Sequence, residues 1–283
     1  MSGALPSVLH APAKLNLCLF LGRRRPDGLH SLCSLFEPLA LADRIEVRTA
    51  DRDQVVCPGV SGENLAARAL AALRGAGWEG PPLRLEIEKR TPVAAGLGGG
   101  SADAAAVLRL ARGEVAELEE LAAELGADVP SQLVPALSLV QGAGERVERL
   151  PEPAPHAVVL LPAGGGLGTA EVFAEAERLG LGRSEAELEE IAGRLRRVVG
   201  AGMSPLAYAE LLANDLEPAA RSLRPDVGEA LEALRAAGAP IVLLTGSGPT
   251  VFGLFADLDE AERAASQLAR DDAIVCEAGR APS

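Results

Sequence analysis

Lysine and aromatic residues are scarce in this 283-residue sequence. Only two of its 27 basic residues are lysines, Lys14 and Lys89, and its aromatic residues are one Trp, one Tyr and five Phe. Lysine carries a compact ammonium on a mobile stem, whereas arginine carries a planar fork that is always charged. A chain that uses Arg almost everywhere keeps Lys at two places either by chance or because an ammonium is needed beside a reacting group.

Positive charge is scarce as well, and the formal net charge is −13. Proteins that bind nucleic acid normally carry a basic patch, so neither nucleic acid nor an anionic membrane surface is an expected partner. A small anionic ligand stays possible, because a single site needs only local positive charge. The sequence has no apolar run of about 18 residues and no basic-then-apolar start typical of a signal peptide, which predicts a cytoplasmic protein.

Cysteine is rare and is not arranged as a metal site. The four residues Cys18, Cys33, Cys57 and Cys276 form no C-x-x-C pair of the kind that holds a metal ion. We therefore expect reduced and mostly buried thiols.

Strands and helices are predicted in both halves of the chain, which indicates an α+β fold. Leu83 to Ile87 alternates apolar and polar residues as a half-buried strand does, and Pro26-Asp27-Gly28 is a strong turn signal. Three prolines between Pro151 and Pro155 predict a boundary between domains 1–152 and 153–283. Further strands are predicted at 8–21, 43–49, 158–161, 241–244 and 251–255, and helices at 64–74, 101–112, 114–125, 169–179, 185–199, 205–212, 225–237 and 257–270.

A glycine-rich segment, Gly96 to Ser101, lies between a predicted strand and an alanine-rich predicted helix. Glycine lets the backbone turn sharply and approach a ligand closely, and the free N–H groups at a helix start favour a phosphate anion. The segment is neither a G-x-x-x-x-G-K-[ST] loop nor a dinucleotide fingerprint. A tight turn capped by Ser101 is the alternative, but four glycines in five residues exceed what a turn needs.

The segment from Pro92 to Ser101 resembles the signature loop of the GHMP kinases, a family of small-molecule kinases. Residues 11–17, Ala-Pro-Ala-Lys-Leu-Asn-Leu, are similar to that family's first strand, and residues 244–252, Leu-Thr-Gly-Ser-Gly-Pro-Thr-Val-Phe, to its third motif. The resemblance implies an ATP-binding N-terminal domain of the ribosomal-protein-S5 type and a ferredoxin-like C-terminal domain. The substrate is then expected in the cleft between them.

Further motifs are most similar to one member of this family, which phosphorylates the 2-hydroxyl of a cytidine diphosphate-linked methylerythritol in isoprenoid precursor synthesis. They occur in the family's order over nearly the whole chain, at 12–17, 25–30, 97–105, 125–130 and 214–216. The resemblance implies ATP and Mg²⁺ as cofactors and leaves the metal ligands and the oligomeric state open. Two other functions stay possible, a GHMP kinase whose substrate lacks cytosine and a non-catalytic nucleotide-binding protein.

The resemblance also implies roles for individual residues. Lys14 and Asp128 match the catalytic pair, in which a carboxylate accepts the proton of the attacking hydroxyl and an ammonium offsets phosphoryl charge. From the residues alone, a helix cap after Gly126 is the favoured role of Asp128, and an exposed strand end is the alternative for Lys14. The residues that match the ATP loop are Pro92, Gly96, Leu97, Gly98, Gly99, Gly100 and Ser101.

For the substrate, the resemblance implies that His30 reads the cytosine, that Phe173 stacks on it and that Asn16 orients the γ-phosphate or the hydroxyl. The alternatives are a surface histidine and a core phenylalanine. The turn Gly246-Ser247-Gly248 is expected near the diphosphate or the erythritol, and a plain hairpin is its alternative. Asn214 and Asp215 are expected to be a loop-to-helix cap.

Two positions depart from the family pattern. Leu29 stands where the family usually has a Tyr that covers the base. Without the Tyr ring, the site lacks ring stacking worth about 1 kcal/mol. Ala102 stands where the family often has a second serine after the glycines. Leu29 is the observation that favours a substrate without cytosine, whereas His30 and Phe173 oppose it.

Overall fold

The computed structural model describes residues 5–60 and 62–282. Strands and helices alternate through both halves, as the sequence predicts. Within these ranges the strands are β1 Val8–Arg24, β2 His30–Thr49, β3 Gln54–Val56, β4 Leu83–Glu88, β5 Ser138–Gly142, β6 Arg146–Arg149, β7 His156–Pro162, β8 Ile241–Leu244, β9 Thr250–Phe255 and β10 Ile274–Ala278. The helices are α1 Leu65–Gly75, α2 Gly99–Leu108, α3 Leu118–Leu125, α4 Val129–Gln132, α5 Thr169–Leu179, α6 Glu185–Val199, α7 Glu217–Leu223, α8 Pro225–Ala236 and α9 Leu258–Gln267.

The sheet of the N-terminal half is organised around β2. Strands β1 and β2 form a long antiparallel hairpin whose turn is the predicted Pro-Asp-Gly segment, with Gly28 at φ 85°. The first part of β2 also pairs with β5, and its last part pairs with β4. One edge of β2 therefore pairs with β1, and its other edge pairs with β5 near the start of the strand and with β4 near its end. The bulges in β1 at Pro12–Lys14 and Asn16–Cys18 change the face to which the side chains of β1 point.

Helix α2 is buried on every side, from Ala102 to Leu108. Apart from Asp103 these buried side chains are apolar, as is typical of a core helix, and the short alanine side chains let the helix lie close to β1 and α1. Its N-terminus, where the glycine-rich loop ends, is thereby fixed against the sheet.

The C-terminal half forms an antiparallel sheet in the order β10-β7-β9-β8. It joins the N-terminal sheet where Ala278 of β10 pairs with Leu39 of β2. Helix α6 also crosses between the halves, because Leu188 and Leu195 share a core cluster with Phe20. The segment between β6 and β7, which contains the predicted boundary at 152/153, has no helix or strand, and the division itself stays a prediction.

Several predicted element bounds were wrong. Strand β2 begins at His30 rather than at Asp43, helix α3 begins at Leu118 rather than at Glu114, and α2 ends at Leu108 with a 3₁₀ turn after it. The predicted helix at 205–212 is a 3₁₀ segment, Pro205–Leu211, with a kink at Tyr208.

The four cysteines are free, as predicted, and three of them are buried. Among the described helices, none combines the length and the apolar character needed to cross a membrane.

Candidate active site

The ammonium of Lys14 is held by neighbouring side chains of the site. Its side chain is nearly buried, and Nζ donates to Oδ1 of Asn16 at 2.6 Å. The same nitrogen lies 3.2 Å from Oδ2 of Asp128 and 4.6 Å from the ring centroid of Phe36. Residues 14 and 16 of a strand point to one face, so this face of β1 carries both groups. Lys14 is therefore not the exposed strand end that the residues alone allowed.

Asn16 is fixed on all sides. Its amide Nδ2 donates to Oγ of Ser34 at 2.9 Å, and its backbone N–H donates to Oγ1 of Thr245 at 2.9 Å. Since Nδ2 is committed to Ser34, Oδ1 remains as the acceptor for Lys14. In this structure Asn16 therefore orients the ammonium of Lys14, and its predicted contact with the γ-phosphate or the hydroxyl stays a prediction.

Asp128 stands immediately before helix α4, at the position of an N-cap. Its side chain makes no capping hydrogen bond, and its carboxylate turns to Lys14 with 32% of the side chain exposed. The carboxylate of Asp128 does not cap the helix, pairs with a buried ammonium and borders an open cavity. It is therefore placed to accept a proton.

The glycine-rich loop wraps around the stem of Lys14. Gly96 and Gly98 have φ of 77° and 69°, a left-handed backbone that favours glycine. A Cβ on Gly98 would lie 3.0 Å from Cε and Cγ of Lys14, and the carbonyl of Leu97 accepts the backbone N–H of Lys14 at 2.9 Å. The loop thus brings the start of α2 directly beside the ammonium.

A first cavity of about 320 Å³ opens on the outer side of this loop. It is lined by the glycine-rich segment, Ser101, Asp103 and Lys89, among others. The predicted loop residues from Pro92 to Ser101 therefore border one cavity, with the N-terminus of α2 facing it.

Lys89, the second of the two lysines, anchors the loop from below. Its Nζ donates to Asp43 and, at 2.9 Å, to Oδ2 of Asp103, while Oδ1 of Asp43 accepts the backbone N–H groups of Arg90 and Thr91. Burial raises the pKa of Asp103 to about 7. Sequence reasoning assigned no role to Lys89, although the scarcity of lysine was the signal that could have found it.

The second glycine turn contacts the first. Gly246 and Gly248 have positive φ, and a Cβ on Gly96 would lie 2.9 Å from the carbonyl oxygen of Gly248. Asn214 fixes this turn, because its Nδ2 donates to the carbonyls of Leu244 and Gly246, both at 2.8 Å. Asn214 also accepts the N–H of Leu216 at 2.9 Å, but the N-cap of α7 is Leu216 and has no side-chain capping bond, so Asn214 supports the glycine turn and does not cap the helix as predicted.

A second cavity, of about 750 Å³, lies on the inner side of the glycine-rich loop. The predicted substrate residues border it together: Asn16, Leu29, His30, Phe173, Gly246 and Ser247. The rings of His30 and Phe173 have centroids 5.2 Å apart at 49°. Gly248, the remaining predicted residue, lies against Gly96 in the turn behind them.

Leu29 is more than half exposed at the rim of this cavity. Phe173 is only partly buried on helix α5, so it is not the fully enclosed core residue that the alternative supposed. One residue that sequence reasoning missed is Glu177, one turn further along α5, whose Oε1 lies 3.1 Å from Nε2 of His30.

Gly96 and Gly98 border both cavities, while Lys14 and Asp128 border the second. A group held by the loop in the first cavity is therefore separated from a ligand in the second only by the glycine backbone. The ammonium and the carboxylate stand at that junction, which is an arrangement suited to transferring a phosphoryl group from one ligand to the other.

Comparisons with known proteins agree with this geometry. The family model described as "GHMP kinases N terminal domain" matches residues 64–135, and "GHMP kinases C terminal" matches residues 200–273. The 4-diphosphocytidyl-2-C-methyl-D-erythritol kinase of Streptomyces avermitilis is 39% identical over 276 residues, which cover 92% of this chain and 91% of that protein. The enzyme of the same name from Pelotomaculum thermopropionicum is 39% identical over 277 residues, covering 93% of each chain.

Two solved structures with a similar fold are also kinases. A crystal structure of 4-(cytidine 5'-diphospho)-2C-methyl-D-erythritol kinase superimposes with a TM-score of 0.80 at 35% identity, covering 96% of this chain and 99% of that one. A homoserine kinase from Cytophaga hutchinsonii has a TM-score of 0.69 at 17% identity over 98% of this chain and 96% of its own, which shows a shared fold only.

Proposed function

The chain belongs to the GHMP kinases and is an ATP-dependent kinase, and we propose that it phosphorylates the 2-hydroxyl of 4-diphosphocytidyl-2-C-methyl-D-erythritol. This step would lie in the synthesis of isoprenoid precursors. The observation that carries the proposal is the Lys14–Asp128 pair at the junction of two cavities, in a chain 39% identical over most of its length to kinases named for that substrate.

The reaction follows from the positions of these two groups. The substrate hydroxyl attacks the γ-phosphorus, its proton passes to the carboxylate of Asp128, and the bond to the β,γ-bridging oxygen breaks with ADP as the leaving group. The ammonium of Lys14 offsets the charge of the transferring phosphoryl group. Because such transition states are loose, positioning and charge contribute more than the strength of the base.

The phosphates of ATP fit the first cavity. Backbone N–H groups of the glycine-rich loop and the positive end of the α2 dipole face it. The hydroxyl of Ser101 is at hand for a phosphate oxygen and, with Ala102 after it, serves without a second hydroxyl.

Magnesium fits the site as a phosphate-bound ion rather than as a caged one. Among the described residues there is no group of three or more His, Cys, Asp or Glu side chains placed to hold a metal. Mg²⁺ usually keeps several waters and is bound through one or two protein oxygens plus substrate phosphates. Ser101, which borders the first cavity, would supply one such oxygen, and the ion would neutralise charge on the phosphates.

The base of the substrate fits the far end of the second cavity. Phe173 offers a ring face for stacking, and His30 offers ring nitrogens for hydrogen bonds. Leu29 at the rim covers the base in place of a second ring. The turn Gly246-Ser247 would then lie beside the diphosphate or the erythritol.

We place the enzyme in the cytoplasm with a small-molecule substrate as its partner. A net charge of −13 gives no support for nucleic acid or an anionic membrane as a partner.

The test is a coupled assay of ADP release with Mg-ATP and 4-diphosphocytidyl-2-C-methyl-D-erythritol, with mevalonate, homoserine and galactose as comparison substrates. We expect turnover of the cytidine substrate alone. Turnover of another of these substrates would leave the kinase activity in place and contradict the substrate assignment. No ADP release with any of them would favour a non-catalytic nucleotide-binding protein.

A further inference from the structure

A carboxylate faces one nitrogen of the histidine in the substrate cavity. Glu177 follows Phe173 by four residues on helix α5, so both side chains face the same side of the helix. Oε1 of Glu177 lies 3.1 Å from Nε2 of His30, and the His30 side chain is only 9% exposed. The histidine is therefore held between a ring and a carboxylate that come from a single helix.

This contact decides where the imidazole proton resides. An ionised carboxylate only accepts hydrogen bonds, so Nε2 must carry the hydrogen that it donates. In a neutral imidazole the other nitrogen, Nδ1, is then an acceptor. Among the described residues Nδ1 of His30 has no hydrogen-bond partner, which leaves its lone pair for a ligand.

We propose that Glu177 is a positioning residue that makes the substrate cavity select a cytosine over a uracil by fixing His30 as the Nε2–H tautomer. The proposal rests on the proposed function and deepens it. Cytosine presents an amino donor at its 4-position, whereas the corresponding group of a uracil is a carbonyl acceptor. The lone pair of Nδ1 accepts from the first group and faces another acceptor in the second.

A second histidine in the same chain shows the contrasting case. Nδ1 of His156 lies 3.0 Å from the carbonyl oxygen of Ala154, and its Nε2 lies 3.1 Å from Oε2 of Glu37. Both nitrogens of His156 face acceptors, which favours an imidazolium with two N–H groups. His156 therefore serves as an internal reference for the protonation state of His30.

The tautomer is measured directly by ¹⁵N NMR of the histidine side chains in the whole protein at about pH 8, above the ordinary titration range of imidazole. We expect His30 of the wild type to show a protonated Nε2 and an unprotonated Nδ1. In Glu177→Gln the side-chain amide can donate as well as accept, so the proton is no longer restricted to Nε2 and the share of the Nδ1–H tautomer is expected to rise. A His30 with two N–H groups, or with Nδ1–H in the wild type, would overturn the proposal.

The consequence is measured by calorimetric titration of CDP and of UDP while a non-hydrolysable ATP analogue saturates the other cavity. We expect the wild type to bind CDP at least about 10-fold more tightly than UDP, since one mispaired buried group costs about 1–3 kcal/mol. In Glu177→Gln the ratio should fall below about 3-fold.

Glu171→Gln is the matched control, because Glu171 is an exposed acid on the same helix that does not border the cavity. This variant should keep both the tautomer and the CDP preference. The melting temperatures of both variants report whether the fold is retained.

The outcomes separate the inference from the function on which it rests. A wild type that binds neither nucleotide, or that binds both without effect on turnover of the cytidine substrate, contradicts the proposed substrate. A wild type that binds CDP and UDP equally, yet phosphorylates the cytidine substrate, overturns this inference alone. A loss of preference in Glu177→Gln without a change of tautomer means that Glu177 contacts the base itself, which also overturns the positioning role.

Discussion

Asp128 can be removed without the loss of a helix cap, and Lys14 then keeps its hydrogen bond to Asn16. Its side chain is a third exposed and contacts Lys14 but makes no capping bond. Asp128→Ala should lower turnover at least about 100-fold, the lower range for a positioned general base, while the melting temperature stays close to that of the wild type. The measurement is kcat under saturating ATP and substrate together with a thermal melt.

Glu124→Gln is the control for the loss of one charge, since Glu124 is an exposed acid at the end of α3. Its kcat should equal that of the wild type. Near-normal turnover in Asp128→Ala would remove Asp128 from the mechanism and leave phosphoryl transfer to the loop and the lysine.

Phe173 tests the other end of the same cavity. Its ring lies 5.2 Å from that of His30, away from the glycine-rich loop. Phe173→Ala should weaken binding of the cytidine substrate by about 5- to 10-fold, the equivalent of about 1 kcal/mol of ring stacking. The dissociation constant of ATP should not change.

Separate titrations with the substrate and with ATP measure the two constants. An equal loss of affinity for both ligands would indicate a folding defect rather than a stacking role. Phe173→Tyr keeps a ring at this position and should retain most of the substrate affinity.

Among the elements, the two glycine turns depend on each other. Gly96 has φ 77°, and a Cβ there would lie 2.9 Å from the carbonyl oxygen of Gly248, a backbone atom that cannot move aside alone. Gly96→Ala should therefore push the turns apart and strain the loop, at about 1–3 kcal/mol of unfolding free energy. The same shift should raise KM for ATP more than KM for the acceptor.

Gly75→Ala is the matched control, because Gly75 ends helix α1 and a Cβ there would meet no atom within 4 Å. Its stability should be unchanged or slightly higher. Urea unfolding and initial rates at varied ATP measure the two effects. An unchanged KM for ATP in Gly96→Ala would mean that the loop does not hold the phosphates.

Local patterns predicted some elements closely and missed others for a physical reason. Helices α5 and α6 were predicted to the residue, because Ser184 caps α6 and Gly180 ends α5, and both signals lie in the sequence itself. The first part of β2 was missed because it is buried on both faces, which leaves no alternation of apolar and polar residues. The last strand, β10, was missed as well, since only its partners β7 and β2 define it as a strand.

The residues of the candidate site also fall into those that the sequence predicted and those that it missed. The motifs named the residues of both glycine turns and the Lys14–Asp128 pair, because backbone conformation and charge at those positions restrict the residue type. Glu177 and Lys89 could not be placed, since their partners His30 and Asp43 lie 147 and 46 residues away in the chain. Such contacts follow from the fold and not from local sequence.

At the scale of the whole molecule, a buried ion pair joins the two halves beside the place where their sheets meet. His156 of β7 and Glu37 of β2 are both nearly inaccessible, and Nε2 of His156 lies 3.1 Å from Oε2 of Glu37. Burial alone would lower the pKa of His156, but the charge of Glu37 and the hydrogen bonds to Glu37 and Ala154 outweigh it, and the pKa is raised above 6.5. The folded chain therefore keeps the imidazolium at a pH where the unfolded chain has lost it.

This pair should make stability depend on pH in a defined direction. Below pH 6.5 both states bind the proton and the contribution of the pair is complete. As pH rises above 6.5 through the raised pKa of His156, the folded state binds more protons than the unfolded state, so the free energy of unfolding falls. Urea unfolding of the wild type and of His156→Gln across this range measures the effect. Because Asp103 titrates near pH 7 as well, the difference between the two curves is the quantity that reports His156.

We expect this difference to shrink as pH rises, because the wild type loses the stabilisation that His156→Gln never has. His10→Gln is the control, since the His10 side chain takes no part in the pair, and its curve should run parallel to that of the wild type. A constant difference between wild type and His156→Gln at all pH values would mean that His156 contributes by packing alone. Side-chain packing and the β2–β10 pairing would then hold the two halves together at this point, with no contribution from the His156–Glu37 ion pair.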